Sequence, residues 1–360
     1  VTPTPIESQP PSDPAFDPPL DPPAGPEAPP SWNRLRRGLV WSVAAGLALY
    51  LGLAVFGDID ALGETLSAFP WRIMPLVIGL TLVNYSGRLL KWILYLRWVG
   101  AGVSTGDAAR IFGIGMTMVL TPGKAGELLK SWMVKQQSGT PIRVTAPAVL
   151  AERLTDGLAM LILSGLGLLA FDLPELRNTA ILVLALMAAV ILTVWIRPLA
   201  IWGLALAERL PLVGRLAHVL HDFYASSYAL LRPARLSIAV GIGLVSWTCE
   251  GLAYYLVLTG VGATPGLETA GKAIFIFSLS TIVGAVVATP GGLGGTEGGL
   301  VTLGLRLLDL SRPAATAAAL LVRLATLWFG VALGLVCVTL WPGLLAGEKL
   351  GERVGGDAMS

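Results

Sequence analysis

The sequence predicts an all-α polytopic membrane protein, with about six full spans and two re-entrant broken hairpins in an inverted repeat. Three observations point there. Hydrophobic residues make up 54% of the 360 residues and charged ones only 13%, with a mean hydropathy of +0.72, far too apolar for an ordinary globular enzyme. Several runs reach the roughly 20 apolar residues that a span requires. Finally, Leu120 to Glu127 (LTPGKAGE) and Ala288 to Glu297 (ATPGGLGGTE) share a Thr-Pro-Gly opening and a closing glutamate, and an arginine, Arg153 or Arg323, follows each glutamate after the same 26 residues.

Taken in order, residues 1–30 are crowded with proline and acid and lack the apolar content to offset chain entropy, so a disordered tail is expected. The membrane domain is expected over residues 31–345. Arg34, Arg36 and Arg37 precede the uncharged run Gly38 to Phe56, a retained first span whose basic flank places the N-terminus in the cytoplasm. The second span, Trp71 to Trp98, carries Arg88 deep inside, while Lys91 and Arg97 are expected to snorkel to the interface. From Thr105 to Lys135 an apolar arm breaks at Thr121-Pro122-Gly123 and resumes as a charged helix. Each arm is too short to cross, which predicts a re-entrant hairpin.

Val144 to Phe171 and Thr179 to Ile196 are the next spans. Residues 197–235 set arginines among leucines at helical spacing, as an amphipathic segment on the cytoplasmic surface would. His218 and His221 lie there without a third ligand cluster, and no metal or cofactor is expected. Leu236 to Thr259 spans outward, the uncharged run between Lys272 and Glu297 ends in a second broken hairpin, and Ala314 to Trp341 crosses back ahead of a cytoplasmic tail at 346–360. Cys249 and Cys337 fall inside spans and read as small core hydrophobes. The net charge of +2 and the lack of a basic, aromatic-rich patch argue against nucleic acid.

The duplication covers a first copy of about 72–171 and a second of about 236–341. Leu82 to Arg88 aligns with Leu244 to Glu250, and Val99-Gly100-Ala101 with Val261-Gly262-Ala263. The positive-inside rule runs the two copies in opposite directions. Inverted repeats with helices broken near the midplane are the signature of alternating-access transporters. The turn residues are Pro122, Gly123 and Gly126 in the inner hairpin and Pro290, Gly291 and Gly294 in the outer one. The plainer alternative for the second run is a glycine seam for close helix packing.

Ten charges fall away from the interfaces: Arg88, Lys124, Lys130, Arg153 and Arg323 against Glu127, Glu152, Asp156, Glu250 and Glu297. Unpaired, at ~2.5 to 3.5 kcal/mol each on the insertion scale, they would cost roughly 25 to 35 kcal/mol. They must pair or line a wet cavity. Glu152, Arg153 and Asp156 can partly neutralise one another along one helix, whereas Arg323 has no local acid and looks to Glu250 or Glu297. Such pairs could simply pin helices together. The functional alternative assigns the five bases to an anionic headgroup and the five acids to the roles of counter-ion or proton carrier. Lys124 follows Gly123 as in a phosphate loop, but Met118 and Ala125 break that motif.

TPGKAGELLKSW, AERLTDG and ATPGGLGGTEGGL resemble the signature segments of the flippase-like membrane domain of the lysylphosphatidylglycerol synthase family, over roughly residues 38–342. The resemblance implies translocation of a polar-headed phospholipid, anionic or aminoacylated, across the bacterial cytoplasmic membrane. It also implies relatives in hopanoid or glycolipid pathways. The sequence ends at Ser360, soon after Trp341, so a stand-alone form without the aminoacyltransferase domain is expected and no enzymatic activity is carried over. Membrane lipids are the expected partners, with a separately encoded lipid-modifying enzyme as a candidate. The rival readings are a membrane enzyme acting on lipid-linked phosphate and a scaffold for lipid-modifying enzymes.

Overall fold

The structure, a computed structural model, describes residues 58–121, 126–171, 226–287 and 289–346, together with isolated positions between 44 and 56 and between 178 and 192. All regular structure among these residues is helical. Helix α1 (Ile59–Ala68) leads through a short turn at Trp71–Ile73 into α2 (Met74–Trp98). The first hairpin is α3 (Thr105–Gly115), a 3-10 extension at Met116–Leu120, and α4 (Leu129–Ser138); α5 (Ile142–Phe171) follows. After α6 (Pro233–Gly260), the second hairpin comprises α7 (Leu267–Val287), a turn at Pro290–Gly292 and α8 (Gly295–Leu307). The chain then runs through α9 (Arg312–Arg323), a π-helical turn at Leu324–Trp328, α10 (Phe329–Leu340) and the short α11 (Gly343–Ala346).

Local chemistry sets these boundaries. Ser104 Oγ accepts from the Asp107 amide at 3.0 Å and Ser311 Oγ from that of Ala314 at 3.4 Å, satisfying donors that helix starts leave open at α3 and α9. Gly139 ends α4 with φ 75°, the left-handed stop that glycine adopts without strain.

Among the described residues five helices are long and apolar enough to cross a membrane: 71–98, 142–171, 233–260, 267–287 and 312–340. Four coincide with expected spans. The fifth was read only as part of a re-entrant segment beginning at Lys272; the helix starts at Leu267 and runs 21 residues. At ~1.5 Å per residue it is about as long as the hydrocarbon core is thick. The first hairpin differs, since its α-helical arms run 11 and 10 residues. The expected tail at 1–30, most of the span at 38–56, the span at 179–196, most of the 197–235 segment with His218 and His221, and the tail beyond 346 lie outside the described residues.

The two helices at matched positions of the duplication, α2 and α6, form the central pair. They run antiparallel: a side chain on Gly260 would meet Phe69 and Ile73, one on Gly87 would meet Ser246 and Ile242, and Arg235 reaches the Trp98 carbonyl. Around them the contacts are reciprocal. Helix α5 packs on α6 and α7, while the π turn and α10 pack on α2 and α3. The hairpin turns meet in a small apolar cluster of Leu120, Leu293, Leu327 and Val331. Larger cores lie on either side, one around Trp247, Tyr254 and Phe275, the other around Trp92, Tyr95 and Ile111.

Both readings of the glycine run hold, at different residues. Gly291, Gly292 and Gly294 have φ of 62°, 70° and 86° and make the turn. Gly295 forms the seam, since a Cβ there would lie 3.0 Å from the Gly284 Cα on α7.

Candidate functional site

The repeated Glu-to-Arg interval is an ion pair made twice. Arg153 Nη2 lies 2.9 Å from Glu127 Oε2, and Arg323 Nε lies 2.7 Å from Glu297 Oε1. Each pair ties the second arm of a hairpin to the helix that follows it, which is why the spacing recurs. Of the two partners expected for Arg323, Glu297 is the one it takes. Arg323 also donates to the Gly291 carbonyl at 2.6 Å, and the other Glu297 oxygen accepts from the Gly294 amide at 2.8 Å. One buried ion pair thus fastens both ends of the second turn, satisfying backbone groups that broken helices expose. Of the inner turn, Gly126 donates its amide to Thr121 Oγ1 at 2.9 Å. Pro122, Gly123 and Lys124 lie outside the described residues.

A larger network surrounds Glu152, whose side chain is fully buried. Its Oε1 accepts from Arg88 Nη2 at 3.2 Å and from Arg153 Nη2 at 3.3 Å, and its Oε2 from Lys130 Nζ at 2.8 Å. Lys130 is held further by the faces of Trp92 and Phe112, 4.6 and 5.7 Å from the ring centroids. Asp156 pairs with Lys91, lies 3.8 Å from Arg88 Nε and accepts from Trp247 Nε1 at 3.1 Å.

Arg153 meets Glu152 along their own helix at 3.3 Å, the partial neutralisation expected, and Arg88 and Lys91 come across from α2 to complete it. One expectation needs correction. Lys91 does not snorkel. It is fully buried against Asp156, because the face of α2 that carries it packs on α5 and α6 instead of lipid. Reading each helix alone missed it, although Arg88 and Lys91 stand one turn apart on α2, as Glu152 and Asp156 do on α5, a pattern that could have paired them.

Part of this network lines a cavity of ≈ 110 Å³ between the two hairpins. The first hairpin contributes Met116, Val119, Glu127 and Lys130, the second Gly291, Gly292 and Thr296; Tyr85, Arg88, Arg153, Trp247, Glu250, Arg323 and Thr326 complete the polar wall. The guanidinium side chains of Arg88 and Arg153 are 17% and 25% exposed, against 8% for Arg323. Their Nε atoms have no hydrogen-bond acceptor among the described residues. The shared Glu152 carboxylate therefore holds two partly exposed guanidinium groups side by side at the cavity wall, an arrangement that suits a phosphate group.

Glu250 stands apart. It is 5% exposed and lines the cavity, yet has no hydrogen bond or ion pair among the described residues. The aligned positions differ in what they offer. Where Arg88 finds Glu152 and Asp156, the matched Glu250 would find Val322 and Thr326, and Arg323 is taken by Glu297. The π turn adds a contact that no motif signalled: Tyr85 donates its hydroxyl to the Thr326 carbonyl, locking α2 to the break in the final span.

Residues 43–334 match the family described as lysylphosphatidylglycerol synthase TM region. A UPF0104 membrane protein of Methanothermobacter thermautotrophicus is 23% identical over 342 residues, covering 88% of this chain and 99% of that protein. The fold is thus that of a multi-pass membrane protein, and the chain belongs to the family of lysylphosphatidylglycerol synthase transmembrane regions.

Proposed function

We propose that this protein translocates a polar-headed phospholipid, anionic or aminoacylated, across the bacterial cytoplasmic membrane without altering it chemically. The observation that carries this reading is the charged cavity bounded by both hairpins and lined by the partly exposed side chains of Arg88 and Arg153. An internal cluster of ionisable groups around a cavity is a costly feature in a membrane domain, retained where a polar group has to pass. The antiparallel crossing of the matched helices α2 and α6 supports an inverted repeat, in which one copy can rock against the other around a fixed site.

The orientation follows from charge. At the end where α2 stops and α6 starts, Arg97, Arg110, Arg232 and Arg235 face one acid, Asp107. At the opposite end Asp58, Asp60, Glu64, Glu268 and Asp309 offset the bases. The base-rich end is assigned to the cytoplasm, with both termini. Membrane lipids are the partners, and a separately encoded lipid-modifying enzyme would supply the headgroup.

The test is transport in proteoliposomes carrying fluorescent phosphatidylglycerol or its aminoacylated form, read as the fraction protected from an external quencher. The protein should accelerate exchange between leaflets, and R88Q combined with R153Q should abolish that acceleration while the purified variant stays monodisperse. Exchange equal to empty vesicles would overturn the reading. A chemically altered lipid after incubation would favour the enzyme instead.

A further inference from the structure

The unpaired carboxylate in the cavity needs a role, and the charges around it define one. Among the described residues the site holds five bases, Arg88, Lys91, Lys130, Arg153 and Arg323, and five acids, Glu127, Glu152, Asp156, Glu250 and Glu297. Four of the acids are fixed in ion pairs within 4 Å; Glu250 is the exception among them. With every group ionised the set is neutral, and Glu250 is the charge that balances the excess of base.

Its surroundings can be read element by element. Helix α2 presents Tyr85, Arg88 and Lys91, α5 presents Glu152, Arg153 and Asp156, and α9 presents Arg323. Helix α7 brings Thr281 to the cavity, its own charges Glu268 and Lys272 being paired at its start. Arg72 lies by the Gly260 end of α6.

Resting on the translocation reading above, we propose that Glu250 is a proton site linked to headgroup binding, one proton entering with each anionic headgroup. A phosphodiester seated on Arg88 and Arg153 brings a negative charge into a poorly hydrated, neutral site, where an uncompensated charge is costly. Glu250 is the acid whose neutralisation breaks no ion pair. The proton comes from solvent, a carboxyl O–H bond forms, and release of the headgroup returns the proton. The protein is then a proton-linked lipid carrier, and a transmembrane proton gradient can bias the direction of transport.

The experiment uses purified full-length protein in detergent and a short-chain phosphatidylglycerol, titrated by calorimetry in two buffers of different ionisation enthalpy. Wild-type protein should take up about one proton per lipid, its affinity falling up to tenfold per pH unit across the linked range. E250Q should take up none and bind with an affinity independent of pH. E250D, which keeps a titratable group, should retain the uptake. Short-chain phosphatidylcholine, whose phosphate travels with its own cation, should bind without a proton. Lipid binding without proton uptake in the wild type, or uptake preserved in E250Q, overturns the inference and leaves the translocation reading standing. No binding of phosphatidylglycerol at any pH overturns both.

Discussion

The Arg323–Glu297 pair should behave as a unit whose halves cost more to remove singly than together. Glu297 is fully buried and Arg323 is 7% exposed. The E297Q change keeps the shape and an acceptor for the Gly294 amide but leaves a guanidinium without its counter-ion, and breaking a buried pair this way costs about 3 to 5 kcal/mol. R323Q strands the carboxylate in turn and also deprives the Gly291 carbonyl of its donor, an unsatisfied buried group worth about 1 to 3 kcal/mol. Removing both charges leaves only that second cost, so the double variant should lie closer to wild type than R323Q does. On these figures the coupling is the two pair-breaking costs together, about 6 to 10 kcal/mol. Reversible unfolding by a denaturing detergent in mixed micelles, followed by tryptophan fluorescence across the double-mutant cycle, measures it. Additive single effects would refute the argument that this pair is a closed unit. The same cycle on Glu127 and Arg153 should give a smaller coupling, since Arg153 is partly exposed and also shares Glu152.

Two further outcomes follow from the backbone and from the central crossing. G291A places a side chain at φ 62° with its Cβ 3.1 Å from Leu120 and Leu327 atoms, and should destabilise by at least 1 to 2 kcal/mol. G298A, in α8 with open space around it, should be neutral or stabilise by about 0.5 to 1 kcal/mol in the same unfolding assay. In a background lacking Cys249 and Cys337, cysteines at positions 87 and 246 should oxidise to a cross-link joining the two halves of a chain cleaved between them. A Cβ on Gly87 would stand 3.4 Å from that of Ser246, close to disulfide spacing. Failure to cross-link under oxidation would refute the antiparallel register.

How much of this was legible varied with the kind of interaction. The break at Thr289-Pro290-Gly291 and the turn glycines Gly291 and Gly294 were readable because turn chemistry is local. The interval from Glu127 to Arg153 and from Glu297 to Arg323 was visible as a repeat, but whether Arg323 would meet Glu250 or Glu297 was not, since both acids stood at plausible depths. Lys91 was misread for a related reason: distance along a helix suggested a snorkelling side chain, whereas the packed face of α2 buries it. The start of α7 lies ahead of the expected boundary at Lys272 because the i, i+4 pair of Lys272 with Glu268 at 2.7 Å lets the helix begin before both.

The sequence by itself determined the all-helical membrane class, the broken segment at Pro290 and most of the buried charges, because hydropathy, glycine and proline chemistry and helical periodicity act within a single segment. The tertiary structure decided which charge meets which, where the cavity lies and which carboxylate is left over. Periodicity says only which residues share a face of one helix; the rotation and crossing of that helix against its neighbours set the partners. Hence Arg88 and Glu250, at matched positions of the two copies, end so differently: one is clamped by the acids of α5, the other faces the cavity without a partner among the described residues.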